Sequence, residues 1–304
     1  MKLFIAAIVK NEIDGLLEWI AFHRVLGVSG FIIADNGSND GSRELLGSLA
    51  KLGVVTVFDH PTVGQQKPQL PAYNKILRSC PRDVDLLAFI DADEFLLPLG
   101  SNDLLPTVTA WFTDDSVSAV GLNWSIFGSN GESFASEGLV IERFTQRAPL
   151  GFNVNHNFKS IVRPTRVDSF LNPHFAILRY GRYIDAYGSD MVLHAKHGNG
   201  VSAQVIWHGI RVNHYAVKSL EEFLLGKYLR GSAATANRVK HKAYFQAHDR
   251  NDESCLLAAA LAPKVKAEMM KLSEQLADLP EERQESSQSW LASGIKKLVM
   301  TPTY

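Results

Sequence analysis

Residues 85–95 read Asp-Leu-Leu-Ala-Phe-Ile-Asp-Ala-Asp-Glu-Phe, and this stretch predicts the fold of the chain. Its five consecutive apolar residues, Leu86 to Ile90, are typical of a strand that is buried on both faces of a mostly parallel sheet. Three carboxylates follow at once, those of Asp91, Asp93 and Glu94. Because the side chains of a strand alternate between its faces, Asp91 and Asp93 are expected to point the same way just beyond the strand.

This pair of aspartates predicts a metal site. Two like charges held side by side are unfavourable unless a cation or a proton lies between them. Asp91 and Asp93 offer only oxygen ligands, which favour Mg2+ or Mn2+, and a substrate phosphate can fill the remaining coordination positions. The carboxyl ends of parallel strands are also where open α/β sheets bind their ligands. A solvated acidic turn after a core strand is the alternative, and an Asp-x-Asp motif alone does not decide between the two.

The composition sets outer limits on function. The 304 residues are 46% hydrophobic and 21% charged, as is typical of a soluble globular chain with one large domain or two closely packed ones. A formal net charge of -1 argues against nucleic acid as a partner bound through bulk electrostatics. Cys80 and Cys255 lack the spacing of a metal site, and no stretch is long and apolar enough to span a bilayer. We therefore expect a cytoplasmic protein.

Predicted strands and helices alternate along the chain. Before the central stretch, strands are predicted at residues 3–9, 31–34 and 54–58, with helical patterns between them. This alternation is typical of right-handed β-α-β units, so the loops after these strands are expected to line one edge of the sheet. After the central stretch, residues 96–98 are expected to leave the strand. The later predictions are a helix at 104–112, a strand at 117–124 that ends in a loop, and a helix at 253–276.

Polar motifs follow these elements in a fixed order. They are Lys10-Asn11-Glu12, Asp35-Asn36-Gly37-Ser38-Asn39-Asp40-Gly41, Asp91-Ala92-Asp93-Glu94-Phe95, Asn123-Trp124-Ser125-Ile126-Phe127-Gly128-Ser129, Lys159-Ser160-Ile161-Val162-Arg163-Pro164 and Asn213-His214-Tyr215. With them, the chain from about Leu3 to Gly231 resembles a family 2-type glycosyltransferase of the A fold, and the later motifs favour the family 92-like branch.

The resemblance implies a fold and an activity. The fold is an α/β, Rossmann-like, mostly parallel central sheet flanked by helices, with a C-terminal helical extension. Residues 1–252 would form one catalytic domain, of which 1–100 bind the nucleotide and 101–252 the acceptor, and residues 253–304 would form the extension and tail. The activity is transfer of a sugar, with inversion, from a nucleotide-sugar to a saccharide or glycolipid acceptor in cell-surface polysaccharide synthesis. The branch favours galactose on UDP as the donor.

Several residues are candidates for donor binding. Asp35 ends a buried strand at the ligand edge, where its carboxylate can accept the imide N–H of a uracil ring, and Glu12 and Asn36 lie beside it in the same set of loops. A plain turn cap is the alternative for Asp35. Gln69 and Tyr73 precede the central strand, where the related enzymes carry residues that face the nucleotide, although a helix surface with one packed tyrosine would look the same.

The remaining candidates concern the diphosphate, the metal and the acceptor. Asp91, Lys159 and Lys218 are further donor-binding candidates. The resemblance implies that a histidine from a late segment joins Asp91 and Asp93 as a metal ligand, and an imidazole is acceptable to Mn2+, which selects His214. Trp124 and Phe127 offer flat apolar faces for a sugar ring, with core packing as the alternative. Lys227 and Arg230 are basic residues that can neutralise a leaving diphosphate.

The catalytic base is the least defined residue. Many family 2 enzymes carry it in a Glu-Asp pair that is absent here. Of the carboxylates in the acceptor half, Asp185 and Asp190 are the preferred candidates over Glu132 and Glu142.

The end of the chain carries a small apolar stripe. Trp290, Leu291, Ile295, Leu298 and Val299 lie beside Lys296 and Lys297. This pattern predicts a weak peripheral contact with the inner face of a membrane, with docking on the body or on a partner as the alternative.

Two other functions compete with sugar transfer. A nucleotidyltransferase that makes a nucleotide-sugar shares the sheet and the paired aspartates but needs a glycine-rich amino-terminal loop, which Lys10-Asn11-Glu12 lacks. A non-catalytic nucleotide-sugar-binding protein of the same fold is the second alternative, and the presence of Asp91, Asp93 and His214 argues against it.

Overall fold

The computed structural model describes residues 1–64, 67–100, 103–228 and 240–280. The strands are β1 (Leu3–Val9), β2 (Gly30–Asp35), β3 (Val55–Asp59), β4 (Leu86–Phe89), β5 (Glu94–Pro98), β6 (Val117–Ile126), β7 (Gln146–Arg147), β8 (Phe158–Val162), β9 (Val167–Asn172), β10 (Phe175–Leu178), β11 (Arg182–Ile184), β12 (Leu193–His194), β13 (Gly198–Ser202), β14 (Ile210–His214) and β15 (Glu253–Ser254). The helices are α1 (Ile13–Val25), α2 (Ser42–Lys51), α3 (Gln69–Ser79), α4 (Leu104–Trp111), α5 (Val140–Arg143), α6 (Leu220–Phe223), α7 (Lys242–His248) and α8 (Ala262–Ala277).

A nine-stranded sheet organises these elements. Its order is β3-β2-β1-β4-β8-β6-β14-β5, and β11 pairs with β6 outside this path. Strands β1 to β4 are parallel, and β6, β11 and β14 follow the same direction. Only β8 and β5 run the other way within the sheet. The predicted α/β fold with a mostly parallel central sheet is therefore confirmed.

Both faces of the sheet are covered, which explains why its strands are apolar runs. Along β1, Ile5 and Ala7 belong to one core, which α1, α2 and α8 complete. Ala6 and Ile8 belong to a second core on the opposite face, where α3 and the β9–β10 hairpin pack. Strand β4 is buried along its whole length, as its continuous apolar sequence predicts. The carboxyl end of β4 is thus fixed by packing on both faces of the sheet.

Three predicted boundaries were wrong. Leu96 to Pro98 stay in a strand, β5, because they pair with β14, a partner more than a hundred residues later in the chain. Strand β6 continues past Trp124 to Ile126 because it lies between β8 and β14. The last helix begins at Ala262, with Pro263 in its first turn, and not at Glu253, which pairs with β7.

The extension after β15 docks on the body through α8. Its apolar face belongs to the same core as α1, and Arg24 donates to Glu268 at 2.6 Å. None of the helices in the described ranges has the length and apolarity that a membrane span requires. Arg230 and the apolar stripe of residues 290–299 lie outside the described residues.

Candidate functional site

The residues Asp91 to Asp93 form a turn that joins β4 to β5. The backbone N–H of Glu94 donates to the carbonyl oxygen of Asp91 at 3.0 Å, which closes the turn. The alternation of an extended strand, assumed from the sequence, does not apply here. As a result, the carboxylates of Asp91 and Asp93 contact different sets of partners.

Asp91 is fully engaged by the protein itself. The Lys159 ammonium lies 2.9 Å from its Oδ2. Gln69 Nε2 donates to Oδ1 at 2.8 Å, and the Tyr73 hydroxyl donates to the same atom at 3.3 Å. Burial alone would raise the pKa of Asp91, but the charge of Lys159 outweighs it and the pKa is lowered. Gln69 and Tyr73, predicted to face the nucleotide, thus lie at this turn and orient its first carboxylate.

Lys159 is the buried cation of this half of the site. It is 1% exposed, and its ammonium also lies 3.3 Å from Glu94 Oε2. That oxygen accepts the Asp91 N–H at 2.8 Å. Burial raises the pKa of Glu94 to about 8, whereas Lys159, despite its own burial, has its pKa raised by Asp91 and Glu94. Lys159, predicted as a donor-binding residue, pairs with these two carboxyl groups in this structure.

Asp93 contacts side chains from much later in the chain. His214 Nε2 lies 3.4 Å from Asp93 Oδ2, and both side chains are less than 10% exposed. The β14–β5 pairing brings them together, since His214 is the register partner of Glu94. The Lys227 ammonium, from the π-helical turn Leu224–Tyr228, contacts the same Oδ2. Burial opposes ionisation of Asp93, but Lys227 and His214 together lower its pKa well below its usual value.

The residues around Asp93 fit a divalent cation in part. Across the described ranges, no three His, Cys, Asp or Glu side chains are arranged to hold a metal. Mg2+ usually takes one or two protein ligands and completes its shell with phosphate and water. The adjacent Asp93 carboxylate and His214 imidazole meet that requirement. Asp91, predicted with Asp93 as the primary pair of ligands, has both of its oxygens engaged by Lys159 and Gln69 in this structure, so its role as a ligand stays a prediction.

The loops after β1 and β2 form one connected structure. Asp35 accepts the N–H groups of Gly37 and Ser38 at 3.2 Å. The Asn36 amide oxygen accepts from Thr62 at 2.7 Å, and the Glu12 N–H donates to Ser42 Oγ at 2.8 Å. In this structure Asp35 therefore acts as a turn cap, which was the alternative interpretation of its role. Its backbone partners hold it at the predicted ligand edge.

A cavity of about 640 Å³ opens beside Asp93. One wall is residues 10–15, between β1 and the first turn of α1, and another is drawn from residues 215–227. Lys10, Lys218 and Lys227 all line it. Lys218 has a left-handed backbone (φ 55°), and a Cβ placed on Gly15 would lie 3.4 Å from its ammonium, so this charge lies above the first turn of α1.

The acidic residues of this cavity are partly neutralised by their own partners. Glu222 accepts from Arg143 at 2.7 Å and completes a capping box with Ser219. Glu221 accepts the Ala135 N–H at 2.8 Å. These contacts fix α6, and Lys10, Lys218 and Lys227 supply the positive charge of the cavity beside Asp93.

The two predicted acceptor aromatics are not surface platforms. Phe127 is 1% exposed and packs against Tyr215 in the core, which contradicts its predicted role and supports the packing alternative. Trp124 is 9% exposed, because β6 continues past it and two histidines pack against its ring. Its ring centroid lies 4.3 Å from that of His214 and 5.0 Å from that of His174.

The carboxylates of the two predicted base candidates, Asp185 and Asp190, are engaged by other groups of the protein. Asp185 accepts the N–H groups of Tyr187 and Ser189 within its own turn. Asp190 pairs with Arg182 at 2.7 Å on the surface. Both follow β11, which pairs with the first half of β6, whereas the Asp91–Asp93 turn lies level with the end of that strand. The structure therefore contradicts these two assignments.

His174 is the residue at this site that the sequence analysis did not select. It lies in the turn between β9 and β10 and packs edge-on against Trp124. A Pro-His pair between two short alternating strands is the only signal that could have marked it.

Comparisons with known proteins identify relatives of this chain. A family model described as glycosyltransferase family 92 matches residues 7–209, more than half of the chain. A glycosyltransferase family 92 protein of Ricinus communis is 28% identical over 239 residues, which are 75% of this chain and 37% of that protein. Another, of Oryza sativa subsp. japonica, is 27% identical over 193 residues, or 62% and 32% of the two chains. The chain thus spans about a third of the length of these curated relatives.

Solved structures align with it at low identity. S. aureus TarS 1-349 in complex with UDP aligns with a TM-score of 0.36 and 15% identity over 54% of this chain and 47% of that one. Glucosyl-3-phosphoglycerate synthase from Mycobacterium tuberculosis, in complex with Mn2+, uridine-diphosphate and glucosyl-3-phosphoglycerate, aligns with a TM-score of 0.32 and 14% identity over 56% and 59%.

Proposed function

This chain belongs to glycosyltransferase family 92, and from that membership we propose that it transfers a sugar from a nucleotide-sugar to a hydroxyl acceptor at the Asp91–Asp93 turn. The observation that carries the proposal is the convergence of His214 and Lys227 on Asp93 at the wall of a cavity of about 640 Å³. A cavity of this size fits a ligand as large as a nucleotide-sugar.

The donor is UDP-linked in this proposal, and galactose is the sugar to test first. The uracil ring of the donor would lie against the loops that carry Glu12, Asp35 and Asn36. There its imide N–H would compete with the N–H groups of the turn for the Asp35 carboxylate. The diphosphate would extend toward Lys10 and Lys218. Lysines that line one cavity raise the local concentration of an anion and favour its binding.

A divalent cation belongs to the loaded state of this proposal. Asp93 and His214 would hold Mn2+ or Mg2+, and Lys227 would leave Asp93 Oδ2 for the diphosphate. When bound, the ion stabilises the negative charge that develops on the leaving diphosphate. Asp91 stays with Lys159 and fixes the backbone of the turn, so that Asp93 is presented in one place.

The reaction is a single displacement with inversion. The acceptor oxygen attacks the anomeric carbon from the face opposite the diphosphate, and a base of the protein takes its proton. The bond between the anomeric carbon and the diphosphate oxygen breaks, and its electron pair goes to that oxygen. A saccharide or a glycolipid of the cell surface is the acceptor class that we propose.

Nucleotide release from a panel of nucleotide-sugars tests the function. We expect UDP to be released from one UDP-sugar, release to stop in excess chelator, and activity to return with Mn2+. Release of pyrophosphate from a nucleoside triphosphate and a sugar phosphate would instead identify a nucleotidyltransferase. Tight UDP binding without release or transfer to any acceptor of a glycan panel would identify a binding protein. Full activity in excess chelator would remove the metal from the proposal while leaving the transfer.

A further inference from the structure

His174 is held rigidly although it lies in a hairpin turn. Asn172 Oδ1 accepts its backbone N–H at 2.9 Å, and Ser160 Oγ donates to its carbonyl oxygen at 2.7 Å. Behind it, Gly200 has a φ of 94°, and a Cβ there would lie only 2.7 Å from His174 Cβ. Asn172, Ser160 and the close approach of Gly200 therefore fix the backbone of this turn, from which the ring projects.

The contacts of the His174 imidazole define its tautomer. Its Nδ1 lies 3.0 Å from the carbonyl oxygen of Phe158, which can only accept, so Nδ1 carries the hydrogen. The lone pair is then on Nε2, which has no hydrogen-bond partner in the described part of the chain, while the residue is partly exposed. This is the arrangement of a histidine that is oriented by one nitrogen and presents the other as a base.

The His174 ring lies near His214, one of the two proposed metal ligands, and Trp124 contacts both rings. Trp124 packs against both His174 and His214, with ring-centroid distances of 5.0 and 4.3 Å, so the centroids of the two imidazoles are at most about 9 Å apart. The other charged groups that act on His174 are Lys159 and Asp91. Trp124 is 9% exposed, and its indole N–H has no acceptor within the described residues. It is a hydrogen-bond donor beside the His174 ring.

Two carboxyl groups of the turn itself, and the two base candidates from the sequence, are poorly placed to act as the base. Asp91 is engaged by Lys159 and Gln69, and Glu94 is fully buried. Asp185 and Asp190 lie beside the first half of β6. We propose that His174 is the base that removes the proton from the attacking acceptor hydroxyl, an inference that rests on the proposed function and extends it.

The step balances without a further reactant. As the acceptor oxygen bonds to the anomeric carbon, its hydrogen passes to His174 Nε2, and the bond from that carbon to the diphosphate breaks. The products are an imidazolium, the glycoside and a nucleoside diphosphate. Burial lowers the pKa of His174 to about 3, so the imidazole is neutral at pH 7 before substrate binds. An anionic donor nearby raises that pKa and favours proton uptake.

Two nucleophiles separate a base from a positioning residue. Water must lose a proton when it attacks, whereas azide is already an anion. We would measure UDP release from the nucleotide-sugar that the wild type cleaves in the screen above, with water alone and with added azide. The variants are His174→Ala and His174→Gln, and glutamine can still donate to the Phe158 carbonyl. His208→Ala is the matched control, because His208 is exposed and packs on Tyr187.

We expect both His174 variants to lose about 10²- to 10⁴-fold of the water reaction while keeping UDP affinity and the azide reaction. The His208 variant should match the wild type in all three measurements. Equal loss of both reactions, normal activity of His174→Gln, or loss of UDP affinity would overturn the base role and leave the transferase intact. If the wild type cleaves no nucleotide-sugar and transfers none, the proposed function itself fails.

Discussion

The two aspartates of one turn, only two residues apart, have opposite surroundings. Asp91 contacts residues from the first half of the sheet and its central strand β8, and Lys159, Gln69 and Tyr73 occupy both of its oxygens. Within the described ranges, the side-chain partners of Asp93 come from after position 213, and they are His214 and Lys227. Lys159 is 1% exposed and Lys227 14%.

We call Asp91 and its partners the anchor side of the turn, and Asp93 and its partners the exchangeable side. The cation on Asp91 lies on a strand, in the middle of the sheet, and cannot move without disturbing β8. The cation on Asp93 lies on a short π-helical turn at the cavity wall, where it can give way to another cation. We therefore expect changes on the Asp91 side to affect mainly stability, and changes on the Asp93 side to affect mainly binding and turnover.

The largest effect is expected on turnover from Asp93→Asn. The change keeps the shape of the side chain but removes the charge that a metal requires, so UDP release should fall by roughly 10³-fold, or about 4 kcal/mol of transition-state stabilisation. The free energy of unfolding without metal should fall by less than in Asp91→Ala, because Lys227 lies at the cavity wall and is more exposed than Lys159. Initial rates with saturating Mn2+ and a urea titration measure the two quantities. Wild-type rates in the variant would place the metal elsewhere.

Asp91→Ala tests the other side of the comparison. It leaves the buried Lys159 ammonium with only Glu94 as a partner, so we expect a loss of about 3 kcal/mol in the free energy of unfolding. Asp190→Ala, which removes an exposed ion pair, is the control and should cost well under about 1 kcal/mol. If Asp93→Asn destabilises the protein as much as Asp91→Ala does, the division between anchor and ligand is wrong.

The anchor side was the more predictable of the two. The apolar run from Leu86 to Ile90 indicates a buried strand, and the following loops meet at one sheet edge by the rules of parallel topology. Gln69, Tyr73 and Lys159 were selected as donor-binding candidates, and the structure brings all three to Asp91. Their roles were not predicted, because Gln69 and Tyr73, which donate to Asp91, and Lys159 were all expected to face a ligand. Hydrogen-bond partners depend on side-chain directions that periodicity does not contain.

The exchangeable side depends on one pairing that the sequence does not reveal. Strand β5 was read as the start of a loop, and its antiparallel partner β14 comes more than a hundred residues later. The family resemblance, and not the local pattern, selected His214. The acceptor candidates failed for a related reason, since β6 was ended too early and Phe127 was placed in a loop, whereas it is a core residue.

His214→Ala should weaken Mn2+ binding by about tenfold to a hundredfold, with UDP present, because it removes the second protein ligand of Asp93's ion. The melting temperature of the metal-free protein should barely move. Calorimetric titration of wild type and variant with Mn2+ gives the ratio of affinities. Superimposable titration curves would mean that His214 is a packing residue beneath Trp124.

The smallest effect concerns Lys227. Its ammonium contacts the Asp93 oxygen that a divalent ion needs, so an entering Mn2+ must first displace it. A partly buried pair of this kind contributes up to about 1 kcal/mol, so Lys227→Ala should bind Mn2+ up to about fivefold more tightly in the absence of nucleotide.

Lys218→Ala is the matched control, since it removes the same charge from the same cavity wall but makes no contact with Asp93. A general effect of charge would raise the affinity equally in both variants, whereas displacement raises it only in the Lys227 variant. With UDP present the sign should reverse, because Lys227 then neutralises the diphosphate, and its loss weakens the ternary complex. Equal Mn2+ affinities of wild type and Lys227→Ala without nucleotide would show that the two cations do not compete, and that both sides of the turn are anchored alike.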